Sequence, residues 1–122
     1  MICYTKKNNP LLDKSFDFGV RILEVTDIMA ANRQWTVAGQ LSRSGTAIGA
    51  LSREAQRAES PKDFIHKLGI ALKEADESQY WIDLAGTLNY IDEGTHKELY
   101  SEVEELIKLL VSIVKSKRRN MV

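Results

Sequence analysis

Residues 37–85, VAGQLSRSGTAIGALSREAQRAESPKDFIHKLGIALKEADESQYWIDLA, decide the fold of this chain. Apolar or small residues recur in this stretch at alternating steps of four and three. Residues at those spacings lie on one face of an α-helix, so each half predicts a helix with a continuous seam for a neighbouring helix. The seam positions are Val37, Leu41, Ser44, Ile48, Leu51, Ala55 and Ala58, then Phe64, Leu68, Ala71, Ala75, Ser78, Ile82 and Ala85.

The two halves meet at Ser60-Pro61-Lys62-Asp63. A serine is a good helix N-cap, a proline fits the first helical position, and an acidic side chain in the first turn interacts favourably with the helix dipole. The sequence therefore predicts that one helix ends near Ala58 and that the next begins at Pro61.

Two further amphipathic segments flank this pair. The first has its apolar stripe at Phe18, Ile22, Val25 and Met29, widened by Phe16, Val20 and Leu23, and the last has its stripe at Leu99, Val103, Leu106, Leu110 and Ile113. Pro10 begins the first segment, with Asn9 or Asp13 as the competing caps. A capping box from Thr95 to Glu98 begins the last one.

Four helices are therefore predicted, at approximately residues 10–32, 36–58, 61–90 and 95–118. Their connections are short, and short connections place consecutive helices side by side in opposite directions. The predicted fold is all-α, an up-down-up-down antiparallel four-helix bundle that forms a single domain of residues 1–122. Trp35 is expected to cover the inner side of the first connection.

Composition limits the classes of function. Lysine and arginine number 17, as do aspartate and glutamate, so the formal net charge is zero, whereas dedicated nucleic-acid binders are usually basic. No apolar run approaches the roughly 18 residues of a membrane span, and no signal-peptide core follows Lys6 and Lys7. Cys3 is the single cysteine, which excludes an internal disulfide. We expect a soluble, cytoplasmic protein without membrane contact.

No pattern of catalytic residues is evident, so neither an enzyme nor a cofactor nor a small-molecule substrate is predicted. Glu93 and His96 have the Glu-x-x-His spacing of di-iron bundles, but those proteins carry the motif on two core helices and a glutamate on each of the others. Here a single copy lies in a predicted turn, so no metal site is predicted.

Small residues form a ridge along the second predicted helix, at Ser42, Gly45, Gly49 and Ser52. A ridge nearly bare of side chains allows another backbone to approach closely. Its neighbour is either a helix of the same chain or a second subunit. In the second case these four residues form an oligomer interface.

Basic residues provide the remaining functional candidates. Those considered for contact with nucleic-acid phosphates are Arg43, Arg53, Arg57, Lys62, Lys67, Lys117, Arg118 and Arg119. Acidic residues interleave with them, so a solvated, salt-bridged helix surface is the alternative. Glu74 lies next to the seam and is expected to pair with Arg43 or Arg53.

Several segments together carry a family resemblance. They are QLSRSGTAIGA at 40–50, REAQRA at 53–58, DFIHKL at 63–68, ALKEADE at 71–77, FDFGVRI at 16–22 and ELIKLL at 105–110. They resemble the bacterial four-helix-bundle family of 23S rRNA intervening-sequence proteins. This resemblance implies a homo-oligomer, a pentamer, with a suspected role with RNA and no established catalytic residues.

Two hypotheses of function follow. In the first, a non-enzymatic homo-oligomeric bundle binds RNA or ribonucleoprotein through a basic face repeated in each subunit, so that weak phosphate contacts add up. In the second, the protein is a protein–protein interaction scaffold or accessory subunit without nucleic-acid contact. Zero net charge and the ridge of small residues motivate the second.

Overall fold

The computed structural model describes residues 3–121, and within them the chain forms four α-helices and no strand. They are α1 (Pro10–Ala31), α2 (Trp35–Ala55), α3 (Pro61–Thr87) and α4 (Glu93–Arg119). The all-α prediction is confirmed. Over residues 3–121 none of these helices combines the length and the apolar character that crossing a membrane requires.

The helix starts follow from local capping. Asn9 rather than Asp13 caps α1, because its side chain accepts a hydrogen bond from the backbone N–H of Leu12 at 3.2 Å. Ser60 caps α3 as predicted, accepting from the N–H of Asp63 at 3.1 Å.

The predicted start of α4 was wrong by two residues. Asp92 is the cap, and its carboxylate accepts from the N–H of Thr95 at 2.7 Å, so the helix already begins at Glu93. The contact with this N–H favours the ionised carboxylate and lowers the pKa of Asp92. Gly94, which precedes the predicted start, lies within the first turn of the helix.

Two helix ends come earlier than predicted. After Ala55 the backbone N–H groups bond to carbonyls three residues back, which is the tighter turn that often ends a helix. After Thr87 the chain reaches Asn89, whose φ of 60° is left-handed and incompatible with a continuing helix. Trp35 is the first residue of α2 and is 63% exposed, so it does not cover the inner side of the connection.

Side-chain contacts show that neighbouring helices are antiparallel. Gly45 and Gly49 of α2 lie against Ile22 and Ser15 of α1, so residue numbers rise along one helix as they fall along the other. The same reversal relates α2 to α3, α3 to α4, and α4 back to α1. Ser44–Ser78 and Glu54–Lys67 show it for α2 and α3. Asp83–His96 and Phe64–Lys117 show it for α3 and α4, and Arg21–Glu98 and Lys14–Glu105 show it for α4 and α1. The fold is an up-down-up-down four-helix bundle.

The predicted seams form the core. Nearly all their positions are buried, with Leu51, Ala58, Phe64 and Ile113 only partly so. The core also contains Ser44 and Ser78, whose hydroxyls share a hydrogen bond of 2.9 Å. The residues that widen the apolar face of α1 lie outside the core. Phe16, Val20 and Leu23 are 38%, 45% and 45% exposed.

Candidate nucleic-acid interface

The antiparallel order brings together the start of α1, the end of α2, the start of α3 and the end of α4. We call this region the basic end and define it as residues 3–14, 53–67 and 115–121. It contains 11 of the 17 lysines and arginines but only four of the 17 aspartates and glutamates. The basic residues are Lys6, Lys7, Lys14, Arg53, Arg57, Lys62, Lys67, Lys115, Lys117, Arg118 and Arg119.

The zero net charge therefore conceals a strong separation of charge along the bundle. The rest of the chain carries six basic and 13 acidic residues. A basic patch on a neutral protein attracts polyanions locally, because charges beyond about 10 Å are screened at moderate salt.

Part of this basic character also has a structural reason. Lys117, Arg118 and Arg119 occupy the last turn of α4, where positive charge interacts favourably with the carbonyl end of the helix dipole. Such an interaction leaves the charged groups at the surface, and Arg118 and Arg119 are exposed. Helix stabilisation and phosphate contact are therefore compatible for these residues.

Arg43, predicted as a phosphate contact, lies away from the basic end, between α2 and α3. Its guanidinium bonds to Glu74 at 3.1 Å and also to Glu77. The hydrogen bond to Glu77, followed by the one to Glu74, is the main reason that the pKa of Arg43 is raised. The pKa of Glu77 is lowered mainly by the hydrogen bond that it accepts from the indole N–H of Trp81, and next by the one from Arg43. For Arg43 the alternative interpretation, a salt-bridged helix surface, is the correct one, and Glu74 does find the predicted arginine.

The other predicted residues do come together. Arg53 and Arg57 are exposed at the end of α2, and Lys62 is exposed at the start of α3. Among residues 3–121 no acidic side chain forms an ion pair with these three. Lys67 lies 3.7 Å from Glu54, so its charge is partly compensated. Lys62 and Lys117 line the same surface hollow between α3 and α4.

Aromatic rings accompany the basic side chains at this end, and no sequence pattern indicated that these rings and charges lie together. Tyr4 stacks on Phe16, with ring centroids 3.9 Å apart and planes inclined by 13°. The Arg53 guanidinium lies 5.8 Å from the centroid of Tyr4. The ammonium of Lys117, on α4, lies 5.0 Å from the ring centroid of Phe64, on α3. Tyr4 belongs to a short polar segment that shows no periodicity, so no sequence pattern could have placed it.

The ridge of small residues faces α1 of the same chain, which is one of the two alternatives considered. A methyl group at Gly45 would lie 2.8 Å from Cγ2 of Ile22, and one at Gly49 would lie 3.2 Å from the carbonyl oxygen of Ser15. Ser52 is fully buried and donates to the carbonyl of Ile48. Gly45 and Ser52 are covered within the protomer, which corrects their assignment to an exposed interface, while Ser42 and Gly49 are partly exposed and stay a predicted interface.

The exposed apolar surface lies beside that ridge. A groove of about 730 Å³ runs between α1 and α2, and its walls include Phe16, Val20 and Leu23. Arg53 and Arg57 line it towards the basic end. The groove is a second candidate site, suited to an apolar partner surface.

The Glu-x-x-His pair is divided between two contacts. His96 Nε2 lies 2.8 Å from Asp83 Oδ1, while Glu93 lies 3.5 Å from Lys97. Within residues 3–121 no three histidine, cysteine, aspartate or glutamate side chains are grouped as a metal site would require.

Comparisons with known proteins identify the family. A family model described as 23S rRNA-intervening sequence protein matches residues 7–112. A solved structure from Bacteroides thetaiotaomicron VPI-5482, of a protein with unknown function from the S23 ribosomal protein family, is 42% identical with a TM-score of 0.84. The match covers 86% of this chain and 98% of that one. A search of curated proteins found no match. The chain therefore belongs to the 23S rRNA-intervening sequence protein family.

Proposed function

We propose that this protein is a non-enzymatic, cytoplasmic homo-oligomer that binds RNA, free or within a ribonucleoprotein, through its basic end. The observation that carries the proposal is the accumulation of 11 basic against four acidic residues in one region of a neutral chain. The family description, which refers to 23S rRNA, agrees with an RNA ligand.

The central contacts in this proposal are Arg53, Arg57 and Lys62, which are exposed and form no ion pair within residues 3–121. Arg53 and Arg57 are four residues apart, at the end of α2 and in the turn that follows it. Arginine and lysine bind phosphate oxygens through charge-assisted hydrogen bonds. Lys117, Arg118 and Arg119 extend the surface across the end of α4, and Lys67 contributes less because Glu54 is close to it.

Self-association would multiply weak contacts. The groove between α1 and α2 exposes Phe16, Val20 and Leu23, and exposed apolar patches of this kind favour association. A ring of subunits would present one basic end per subunit, so that phosphate contacts add through effective concentration. The pentamer that the family resemblance implies is the assembly we propose.

The test is a titration of structured RNA at several salt concentrations, with Arg53→Glu/Arg57→Glu compared with wild type. The control is Arg33→Glu/Lys73→Glu, which makes the same charge change at exposed residues outside the basic end. We expect affinity to fall at least about tenfold in the first variant, to change little in the control, and to decrease steeply with salt. Equal effects of the two variants, or no binding at low salt, would refute the proposal.

The same groove favours a second candidate function, a protein–protein scaffold without nucleic-acid contact. Light-scattering mass of wild type and of Val20→Glu/Leu23→Glu tests the apolar surface, with Tyr80→Glu, an exposed aromatic on α3, as control. We expect an oligomer that only the double variant dissociates. A scaffold is favoured if RNA binding is absent while this surface still mediates association.

A further inference from the structure

We infer that the basic end recognises single-stranded RNA, and that an unpaired base stacks at Tyr4. This inference rests on the proposed function and specifies the class of RNA. It depends on aromatic rings that lie beside basic side chains, because the bases of an RNA duplex are already stacked on one another and cannot stack on these rings.

The first observation is that the Tyr4 ring is held in place although it lies outside the helices. One face stacks on Phe16, with the ring planes 13° from parallel. The Tyr4 hydroxyl donates to Asp13 Oδ1 at 2.8 Å, and the backbone N–H of Lys7 donates to the same oxygen at 2.9 Å. The Lys7 contact is the main reason that the pKa of Asp13 is lowered. A ring already fixed in this way loses little conformational entropy when a ligand stacks on it.

The second observation is that cations surround this ring. The Lys7 ammonium lies 5.3 Å and the Arg53 guanidinium 5.8 Å from its centroid. Because Phe16 covers one face of Tyr4, these two cations lie over the other face. A base that stacks there displaces the two flexible side chains from the ring towards its own phosphate. Aromatic platforms lined with basic side chains are the means by which proteins bind single strands, because every base has a stacking face and every nucleotide carries a charge.

A second ring repeats the arrangement across the basic end. Phe64 on α3 lies under the ammonium of Lys117, 5.0 Å from its centroid. Phe64 is partly buried, as is Tyr4. All three cation–π contacts found within residues 3–121 are at the basic end.

Duplex RNA cannot use these rings, because its bases are stacked on one another and their faces are not accessible. A duplex would contact only the basic side chains. The arrangement therefore predicts a preference for unpaired bases that charge alone does not explain.

The experiment compares three fluorescein-labelled probes at low salt: a mixed-sequence ten-nucleotide RNA, the same strand with abasic residues throughout, and a ten-base-pair duplex. The proteins are full-length wild type, Tyr4→Leu and Tyr4→Phe. Tyr4→Phe keeps the ring and loses only the hydroxyl, so it is the matched control. Binding is followed by anisotropy, and stacking by quenching of 2-aminopurine placed in the strand.

We expect wild type to bind the single strand about tenfold more tightly than the abasic strand, a value within the range measured for stacking of one base on an aromatic ring. Tyr4→Leu should lose most of that difference and leave affinity for the abasic strand unchanged. Tyr4→Phe should stay within about twofold of wild type and retain 2-aminopurine quenching.

Each other outcome has a distinct meaning. If Tyr4→Leu weakens the single strand and the abasic strand equally, or if wild type binds all three probes alike, the inference about Tyr4 is wrong. If binding then still depends on Arg53 and Arg57, the proposed function stands without it. If no probe binds at low salt, both the proposed function and this inference fail.

Discussion

Helix α1 is attached to its two neighbours in different ways. On the α2 side, Gly45 leaves no space for a side chain, because Ile22 occupies the position where its methyl group would lie. On the α4 side, the contacts include exposed ion pairs, Arg21 with Glu98 at 3.0 Å and Lys14 with Glu105.

The difference shows which contact fixes the geometry of the bundle. Close-packed side chains tolerate almost no change in volume, so the α2 side sets the position of α1 to a fraction of an ångström. Exposed ion pairs have little net energy and tolerate rearrangement. We therefore expect substitutions on the α2 side to act through volume, and those on the α4 side to act through charge, salt and pH.

The largest expected effect is that of Gly45→Ala. The new methyl group would lie 2.8 Å from Cγ2 of Ile22, which is itself fully buried, so one of the two helices must shift. We expect the free energy of unfolding to fall by about 1–2 kcal/mol, after the gain in helix propensity is subtracted from the cost of overpacking. Urea denaturation followed by circular dichroism measures it.

Two controls make this prediction specific. Gly39 lies on the same helix and has no atom within 4 Å of an added methyl group, so Gly39→Ala should raise stability by about 0.5 kcal/mol. In an Ile22→Ala background the clash is absent, and Gly45→Ala should then cost nothing. A similar loss in both backgrounds would show that Ile22 is not the obstacle.

A smaller effect is expected for Arg21→Gln. The ion pair with Glu98 is largely exposed, so its loss should cost about 0.2–1 kcal/mol at low salt. The loss should shrink in 1 M NaCl, where the Debye length is only about 3 Å. Thermal unfolding of Arg21→Gln, Glu98→Gln and the double variant at both salt concentrations gives the coupling energy. A coupling that is unchanged by salt would contradict an electrostatic origin.

The smallest effect concerns Glu102, which lies between Glu98 and Glu105, the two glutamates of α4 that pair with basic residues of α1. Burial, followed by repulsion from Glu98, raises the pKa of Glu102 above its ordinary value of 4.5. Folding therefore favours the protonated form, so the stability contributed by this group is greatest below pH 4.5 and is lost as the pH rises through the folded-state pKa.

Glu102→Gln should accordingly raise the unfolding temperature at pH 7 and make no difference at pH 4. The gain should not exceed about 0.5 kcal/mol, because the carboxyl remains partly exposed to water. Thermal unfolding at pH 4, 5.5 and 7 measures it, with Glu24→Gln, an exposed residue of α1, as the control. A gain of the same size at pH 4 would assign the effect to packing instead of charge.

Much of the fold could be predicted from the sequence. The four-and-three spacing identified the four helices and nearly all of their buried positions, because helical periodicity depends only on which residues share a face. The caps Asn9 and Ser60 were among the residues considered, since capping is a local interaction. The positions of the helix ends were predicted less accurately. At α4, Asp92 competes with Thr95 for the same role, and the hydrogen-bond geometry decides between them.

The candidate site was predicted only in part. Arg53, Arg57 and Lys62 lie at one end of the bundle, because the topology already places the end of α2 next to the start of α3. Their contact with phosphates stays a prediction. Arg43 was assigned to the same surface and was also one of two candidate partners for Glu74. Only the folded structure decides that Arg43, and not Arg53, makes this contact and that it also reaches Glu77, because these residues are more than 30 positions apart.

The sequence by itself determined the four helices, their antiparallel order and the identity of their apolar faces, because these depend on local periodicity, caps and short connections. Only the tertiary structure decided which neighbour receives the glycines of α2, which charges pair, and that Tyr4 stacks on Phe16 beside Arg53. The reason is that these contacts join residues distant in sequence, and their formation depends on distances of a few ångströms that no local pattern encodes.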